Sequence, residues 1–303
     1  MAQPQTMSST LRMIRPRRSA LYMPGSNARA LEKARTLAAD VLILDLEDAV
    51  APEAKALARE QVAAAVHAGG FGPREVVVRV NGLDTPWGAD DFAAICPAGP
   101  DAILVPKVSS PAHISRAASS MALTETPSRT RLWAMMETPL AMLNAAAIGT
   151  AAADPANRLE CFVMGTNDLA KETRARLTPG RAAFVPWLQA CLAAARAHGL
   201  DIIDGVFNAI SDEAGFRAEC EQGRDFGFDG KTLIHPSQLA VANEVFAPSA
   251  EEVARARAVI DLFAMPENRD KGALQLDGRM VERLHADIGR RTVAIADAIS
   301  RLG

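Results

Sequence analysis

The chain has 303 residues, of which 49% are hydrophobic and 23% charged, and its formal net charge is -3. This is the composition of a globular protein with a large core, and it gives no electrostatic reason to expect nucleic acid or an anionic membrane as a partner. No apolar run approaches the ~18 residues of a membrane span. The four cysteines are far apart and form no CxxC pair, so a zinc site or a disulfide framework is not expected and a cytoplasmic location is predicted.

The first 18 residues are rich in Ser, Met and Arg and contain no acidic residue. We predict a flexible N-terminus over residues 1–16, and the alternative is an organellar transit segment, which has the same composition. Short apolar runs then alternate with stretches of helical periodicity, such as residues 28–38, 52–66, 112–121 and 184–198. Eight strands are predicted, at residues 19–23, 41–46, 76–80, 102–105, 132–136, 161–164, 202–206 and 232–234.

The predicted strands are apolar nearly throughout, which is typical of an all-parallel sheet that is covered on both faces. Eight strand–helix units fill about 230 residues, and this matches a single barrel. The predicted fold class is therefore a (β/α)8 (TIM) barrel over residues 17–247, with a doubly wound open sheet as the alternative.

Residues 248–303 follow a different pattern. Ser249 is a predicted N-cap whose capping box is completed by Glu252, and the helix should end near Ala264. A stretch rich in Pro, Gly and charged residues covers residues 266–278, and an amphipathic helix is predicted over residues 281–300. We expect this part to lack a core of its own and to pack as a C-terminal helical lid on the barrel or on a neighbouring subunit.

Charged or polar residues stand at the carboxyl end of almost every predicted strand. In a barrel these ends converge on one rim, which is where enzymes of this fold carry out their chemistry. Surface charges scattered at random would not fall at this one phase of the repeat. The residues are Asp45, Glu47, Asp48, Arg79, Asn81, Lys107, Glu137, Asn167, Asp168, Asp204, Asn208 and His235.

Acidic side chains crowded around one mouth repel each other, and a hard divalent cation relieves the repulsion. Carboxylates without a His or Cys cluster favour Mg²⁺, with Mn²⁺ as the alternative. Glu137 and Asp168, on adjacent strands, are the best pair of metal ligands. The acids assigned to the mouth are Glu47, Asp48, Glu137, Asp168 and Asp204.

Two basic residues and one histidine point to the same rim. Arg79 is expected to contact a substrate carboxylate, because a guanidinium can bind both carboxylate oxygens at once. For Lys107, substrate binding and simple pairing with neighbouring acids remain equally open. His235 is expected to be a hydrogen-bonded structural residue rather than a base.

Several strings occur in order between residues 17 and 246: RSALYMPG, LDLEDAV, VRVNG, VPKV, METP, GTNDLA and GFDGKTLIHPSQ. Together they resemble the citrate lyase β-subunit-like, or CoA-ester lyase, branch of the HpcH/HpaI aldolase superfamily. The resemblance implies a Mg²⁺-dependent barrel that makes or breaks a carbon–carbon bond in a 3-hydroxyacyl thioester. It also implies a homo-oligomer, a trimer or a hexamer.

The resemblance assigns roles to individual residues. Glu137 of METP and Asp168 of GTNDLA correspond to metal ligands, and Arg79 of VRVNG contacts the oxo acid and the developing enolate. In the same family Glu47 and Asp48 support the water shell of the metal. The resemblance places the CoA phosphates near Arg18 and Lys33.

One segment departs from the family pattern. Many CoA-ester lyases carry a C-terminal segment of the form G-x-F-x-x-x-G-x-M-[IV]-D, whose last Asp serves as the base. Here the segment is GALQLDGRMVE, so Glu282 stands where Asp is expected. Asp277 is an alternative base nearby, and the longer side chain of Glu282 can misplace the proton acceptor.

The function predicted from these observations is a Mg²⁺-dependent carbon–carbon lyase. It would cleave malyl-CoA, methylmalyl-CoA or citramalyl-CoA to acetyl-CoA or propionyl-CoA plus glyoxylate or pyruvate. The alternatives are a citrate lyase β-type subunit acting on a citryl-acyl-carrier protein and an acyl-CoA thioesterase. No nucleic acid or membrane partner is predicted.

Overall fold

A computed structural model describes residues 14–302 of the chain. Residues 17–246 form one compact unit, built on a closed barrel whose strands follow one another in chain order. All strand pairs are parallel, and β1 pairs with β8 to close the barrel. The predicted (β/α)8 barrel is confirmed and the open sheet is wrong. The strands are β1 Ser19–Pro24, β2 Val41–Asp45, β3 Glu75–Arg79, β4 Ala102–Val105, β5 Arg131–Met136, β6 Leu159–Met164, β7 Asp201–Asp204 and β8 Gly230–Leu233.

Helices cover the outside of the strands, and the longer ones bury one apolar face against them. A second helix follows β6, and a short helix follows β8. The helices of this unit are α1 Ala28–Ala34, α2 Lys55–Ala68, α3 Gly88–Ala98, α4 Pro111–Leu123, α5 Pro139–Thr150, α6 Thr166–Thr173, α7 Val185–Ala197, α8 Glu213–Phe226 and α9 Leu239–Val245.

Alternation of side chains along the strands produces two cores. In β2, Val41 and Ile43 belong to a cluster inside the barrel, while Leu42 and Leu44 belong to the layer between strands and helices. Both layers are apolar, which is why the strands show near-continuous hydrophobic runs. The same alternation decides which strand-end residues face the interior of the barrel.

The amino end of the barrel is closed by side chains. Trp133 is fully buried in the interior cluster, and the guanidinium of Arg17 lies 4.7 Å from the centre of its ring. Glu75 accepts two hydrogen bonds from Arg17, each of 2.7 Å. Among residues 14–302, these side chains fill the amino end of the barrel interior.

The chain from Ala247 onward is assigned to the second compact unit. Its first helix, α10 Ala250–Ala264, begins at Ser249 with the capping box to Glu252, as predicted. Antiparallel strands β9 Ala273–Leu276 and β10 Arg279–Glu282 follow, and then helix α11 Arg283–Ser300. The helix expected from residue 281 thus begins later, because β10 occupies the first positions.

This second unit has a small apolar cluster of its own, made of Val259, Phe263, Val281 and Ala286. The expectation that this part lacks a core was therefore wrong. That residues 248–303 act as a lid stays a prediction. Residues 1–13 of the predicted flexible N-terminus lie outside the described range. No helix within residues 14–302 is long and apolar enough to cross a membrane.

Candidate active site

A cavity of about 290 Å³ lies at the carboxyl ends of the barrel strands. It contains the predicted Arg79, Glu137, Asp168 and Asp48, so the structure brings these residues together. Its lining consists of Tyr22, Asp45, Asp48, Ala49, Arg79, Met135, Glu137, Met164, Gly165, Thr166, Asn167, Asp168, Val206, Thr232 and Ile234.

Arg79 forms ion pairs with three acidic residues at the cavity. It pairs with Asp45 across the β2–β3 register, Nε donating to Oδ1 at 2.7 Å and Nη2 to Oδ2 at 2.6 Å. Its Nη1 lies 2.9 Å from Glu47 Oε2 and 3.2 Å from Asp48 Oδ2. Burial opposes the charge of Arg79, but Asp45 together with Tyr22 and Glu47 outweighs it and raises the pKa well above its usual value. The guanidinium is thus fixed and charged, and a substrate would share it with these acids.

The backbone at Glu47 is held in place by a lysine that was not predicted from the sequence to belong to the site. Lys55 Nζ donates to the carbonyls of Leu46 and Glu47 and to Asn81 Oδ1, each at 2.8 Å. Lys55 looks like an ordinary helix-surface residue in the sequence, and no pattern marks it. Burial raises the pKa of Glu47 to about 8, although Arg79 opposes the shift.

Glu137 directly follows β5 and is 1% exposed. Its Oε1 accepts a hydrogen bond of 2.7 Å from the backbone N–H of Lys107. The carboxylate lies against Gly165, where a Cβ atom would stand 2.4 Å from Glu137 Cβ and 2.5 Å from Oε2. Burial raises the pKa of Glu137 to about 7, opposed by Arg79.

Asp168 lies in the first turn of α6, where its side chain points to Lys107. The ammonium of Lys107 is 3.5 Å from Asp168 Oδ1. Lys107 has a left-handed backbone with φ 51, which turns its N–H to Glu137 and its side chain to Asp168. Burial lowers the pKa of Lys107, but Asp168, Glu47 and Glu137 together outweigh it, and the net pKa is raised.

These contacts test whether the residues fit a divalent cation. The ammonium of Lys107 supplies positive charge where a metal ion would do so, and Asp168, Glu47 and Glu137 all act to raise its pKa. Within residues 14–302, no group of three or more His, Cys, Asp or Glu side chains is arranged to hold a metal ion. Mg²⁺ typically takes only one or two protein carboxylates and fills its shell with water and substrate oxygens. Glu137 and Asp168 fit that requirement.

Donors for an anionic ligand stand beside these acids. No side chain caps the start of α6, so its first backbone N–H groups remain available to a ligand. Thr166, the first residue of the helix, lines the cavity, and its buried Oγ1 has no hydrogen-bond partner among the described residues. The sequence analysis did not select Thr166, although it stands within the string GTNDLA.

Asp204, predicted to be one of the acids of the mouth, points the other way. Ile203 belongs to the interior cluster, so the next side chain of β7 faces the helices. Asp204 accepts hydrogen bonds from Arg181 at 2.7 and 2.8 Å and from Lys231 at 3.1 Å. Burial alone would raise the pKa of Asp204, but Lys231 and Arg181 outweigh it and lower the pKa. Asp204 is therefore a structural residue.

Arg18 precedes β1 and so lies at the amino end of the barrel, away from the mouth. Its guanidinium is engaged by Asp40, with two bonds of 2.8 Å. A residue there cannot reach a ligand at the carboxyl end, because the strands between span roughly 15–20 Å. The expected CoA contact of Arg18 is therefore not supported. Lys33 is exposed on the last turn of α1, and its role stays a prediction.

The two candidate bases lie in the second unit. Asp277 is the first turn residue between β9 and β10, with φ 48, and Gly278 follows with φ 75. Glu282 ends β10, and its backbone N–H donates to His285 Nδ1 at 2.9 Å. The choice between them stays open. His235 caps a short turn, with Nδ1 2.8 Å from Ser237 Oγ, as expected for a hydrogen-bonded residue, and that it is not a base stays a prediction.

Comparison with known proteins places the chain in a family. The sequence pattern of the HpcH/HpaI aldolase/citrate lyase family matches residues 18–236. The chain belongs to this family. The match covers all eight strands of the barrel and every residue of the cavity described above.

Family members of different activity resemble the full chain. A protein of Cereibacter sphaeroides named (3S)-malyl-CoA thioesterase is 53% identical, over 95% of this chain and 97% of its own. A second protein of that organism, named L-malyl-CoA/beta-methylmalyl-CoA lyase, is 36% identical, over 88% and 91% of the two chains. The solved structure of CitE from Mycobacterium tuberculosis with magnesium, acetoacetate and coenzyme A is 28% identical, with a TM-score of 0.72 and coverage of 93% and 98%.

Proposed function

We propose that this chain is a Mg²⁺-dependent thioesterase that hydrolyses a short 3-hydroxyacyl-CoA carrying a free carboxylate, with malyl-CoA as the first candidate. The observation that carries the proposal is the 53% identity, over 95% of the chain, to a protein named (3S)-malyl-CoA thioesterase. Glu282 also favours hydrolysis over carbon–carbon cleavage, because the lyase pattern has Asp at that position. The predicted lyase activity becomes the second candidate.

The cavity suits the acyl part of such a substrate. Its volume of about 290 Å³ accommodates a four-carbon acid but not coenzyme A, so the carrier stays outside the mouth. Arg79, which Asp45, Glu47 and Asp48 already share, would also pair with a substrate carboxylate or oxyanion. The free N–H groups at the start of α6 would supply further donors.

Glu137 and Asp168 would hold Mg²⁺, which would act as a Lewis acid on substrate oxygens. The backbone N–H of Lys107 orients the Glu137 carboxylate through its bond to Oε1, and Gly165 leaves the space that this carboxylate fills. These contacts place Glu137 before any cation binds, which reduces the reorganisation needed.

Hydrolysis forms a bond between a water oxygen and the thioester carbon and breaks the carbon–sulfur bond. The water proton passes to a carboxylate and then to the departing thiolate. Asp48 lines the cavity and is the proton acceptor that we propose first. Glu282 and Asp277 are the alternatives, and Asp48→Asn, Glu282→Gln and Asp277→Asn compared in one assay identify the residue.

The lyase candidate is supported by the 36% relative named L-malyl-CoA/beta-methylmalyl-CoA lyase. It would use the same carboxylates and Arg79, with proton removal from the 3-hydroxyl instead of from water. A citrate lyase β-type subunit would instead need an acyl-carrier protein. A homo-oligomer and a cytoplasmic location remain part of the proposal.

One assay separates these functions. The purified chain is incubated with Mg²⁺ and malyl-CoA, methylmalyl-CoA or citramalyl-CoA, while free thiol and released 2-oxo acid are measured in parallel. A thioesterase releases one thiol per substrate and no oxo acid. A lyase releases glyoxylate or pyruvate and an acyl-CoA without free thiol. Turnover of none of these esters by the isolated chain would contradict both proposals.

A further inference from the structure

Tyr22 is the sole tyrosine of the chain, and it forms the floor of the cavity. It lies on β1 between Leu21 and Met23, which face the helices, so its ring points into the barrel. The ring packs against the dry interior cluster, whose member Ala20 lies below it on the same strand. Tyr22 therefore separates the apolar interior from the polar space above it.

The hydroxyl of Tyr22 lacks a strong acceptor among the described residues. The partner that the structure gives it is the thioether of Met135, with Oη 3.5 Å from Sδ. Tyr22 is partly buried, and a thioether is a weaker acceptor than the oxygen that a tyrosine O–H usually finds inside a protein. The donor is therefore left for a ligand in the cavity.

The surroundings keep this hydroxyl protonated. Burial raises the pKa of Tyr22 well above its usual value, and the carboxylates of Asp45 and Glu137 add to the shift while Arg79 opposes it. The guanidinium carbon of Arg79 lies 4.8 Å from the ring centre. Tyr22 thus offers a neutral O–H donor, which suits a carboxylate, beneath a guanidinium that Asp45, Glu47 and Asp48 already share.

The direction of substrate entry decides which group reaches the floor. Because the carrier stays outside the mouth, the acyl chain enters with its free end first. In a malyl thioester that end is a carboxylate. A thioester that ends in a methyl group would leave both the Tyr22 hydroxyl and Arg79 without an acceptor from the substrate, and sites built to bind a polar group reject such analogues.

We propose that Tyr22 is a specificity-determining residue, whose hydroxyl donates a hydrogen bond to the free carboxylate at the end of the acyl chain remote from the thioester. This proposal rests on the proposed thioester hydrolysis. It assigns to the floor of the barrel the choice between carboxylated and plain 3-hydroxyacyl thioesters.

The test is Tyr22→Phe, which removes the hydroxyl and keeps the ring beneath Arg79. We compare kcat/KM for malyl-CoA and for 3-hydroxybutyryl-CoA, whose end is a methyl group. The variant should lose roughly 10- to 100-fold on malyl-CoA, the range of a hydrogen bond to a charged group, mainly through KM. It should lose much less on 3-hydroxybutyryl-CoA than on malyl-CoA, so the ratio of the two values falls. An unchanged ratio overturns the proposal.

Two further measurements keep the outcomes distinct. Thermal unfolding of Tyr22→Phe shows whether the fold is intact, and Tyr22→Leu, which also removes the ring beneath Arg79, should lose more activity than Tyr22→Phe. If the wild type hydrolyses no thioester, the proposed function fails, and calorimetric binding of malate with Mg²⁺ then tests Tyr22 by itself. Weaker malate binding by Tyr22→Phe than by the wild type supports the proposal, and equal binding overturns it.

Discussion

Replacement of Gly165 by alanine should disable the site while leaving the barrel folded. Gly165 has φ -104 and ψ 78, which an alanine tolerates, so the effect comes from space rather than from backbone strain. A Cβ there would stand 2.4 Å from Glu137 Cβ and 2.9 Å from Met135 Cε. Carbon atoms in contact lie about 3.5–4.0 Å apart, so Glu137 must move by roughly 1 Å.

A shift of that size is large for a group that must meet a cation and a substrate. Misplacement by about 1 Å can cost roughly 100-fold in rate, or about 2.7 kcal/mol in the transition state. Overpacking should also lower the free energy of unfolding by about 1–3 kcal/mol, which leaves a domain of this size folded. We therefore expect Gly165→Ala to lose about 100-fold in kcat/KM on the substrate identified by the thiol assay and to bind Mg²⁺ more weakly.

Gly149→Ala is the matched control. A Cβ at Gly149 would meet the ring of His198 at 2.5 Å, a comparable clash near the end of α5 and away from the cavity. Activity and Mg²⁺ binding are measured for both variants, together with urea unfolding. Gly165→Ala with wild-type kcat/KM would refute the reasoning, and so would an equal loss of activity in Gly149→Ala, since the effect would then come from stability.

Three further predictions concern charge. Because burial raises the folded-state pKa of Glu137 to about 7, ionising it costs stability as the pH rises through that value, and a bound cation removes the cost. Mg²⁺ should therefore raise the Tm more at pH 8 than at pH 6, and an equal rise in calorimetric scans contradicts this. Asp204→Asn should lower the free energy of unfolding at pH 7 by about 3–5 kcal/mol, because it breaks a buried ion pair. Since the pKa of Asp204 is lowered in the folded state, the wild type should stay more stable than the variant until the pH falls below the usual pKa of a carboxyl. Urea unfolding checks it, with the exposed Asp225→Asn as control. Lys107→Met should bind Mg²⁺ roughly 5-fold more tightly by titration calorimetry, whereas Lys171→Met, with the same change of charge, should not.

The barrel and most of its rim could be predicted because polar residues recur at the carboxyl end of each apolar strand. Arg79, Glu137 and Asp168 were placed at the mouth because they stand at such strand ends. Asp204 was assigned to the wrong side, since β7 is apolar on both faces and its sequence shows no alternation that would tell inside from outside. Its partners, Arg181 and Lys231, come from other segments and carry no local signal.

The hairpin of the second unit was missed for a different reason. Asp277 and Gly278 form an Asp-Gly turn between two short strands, which is a strong local signal for a hairpin. Residues 272–282 resemble a catalytic segment of the family, so the prediction concerned Glu282 as a base and not the turn. Tyr22 could not be selected from the sequence, because its importance depends on the cavity that other strands build above it.

Because Arg17 and Trp133 close the amino end of the barrel, ligands enter and leave the cavity through its mouth at the carboxyl end. When a molecule is cleaved at the mouth, the inner product lies beneath the outer product and cannot leave before it. In the proposed hydrolysis of a CoA thioester, the carrier would therefore depart first and the small acid second. The acid would then compete with incoming substrate for the empty cavity, whereas the free carrier would not, and the closed far end of the barrel would set the order of product release.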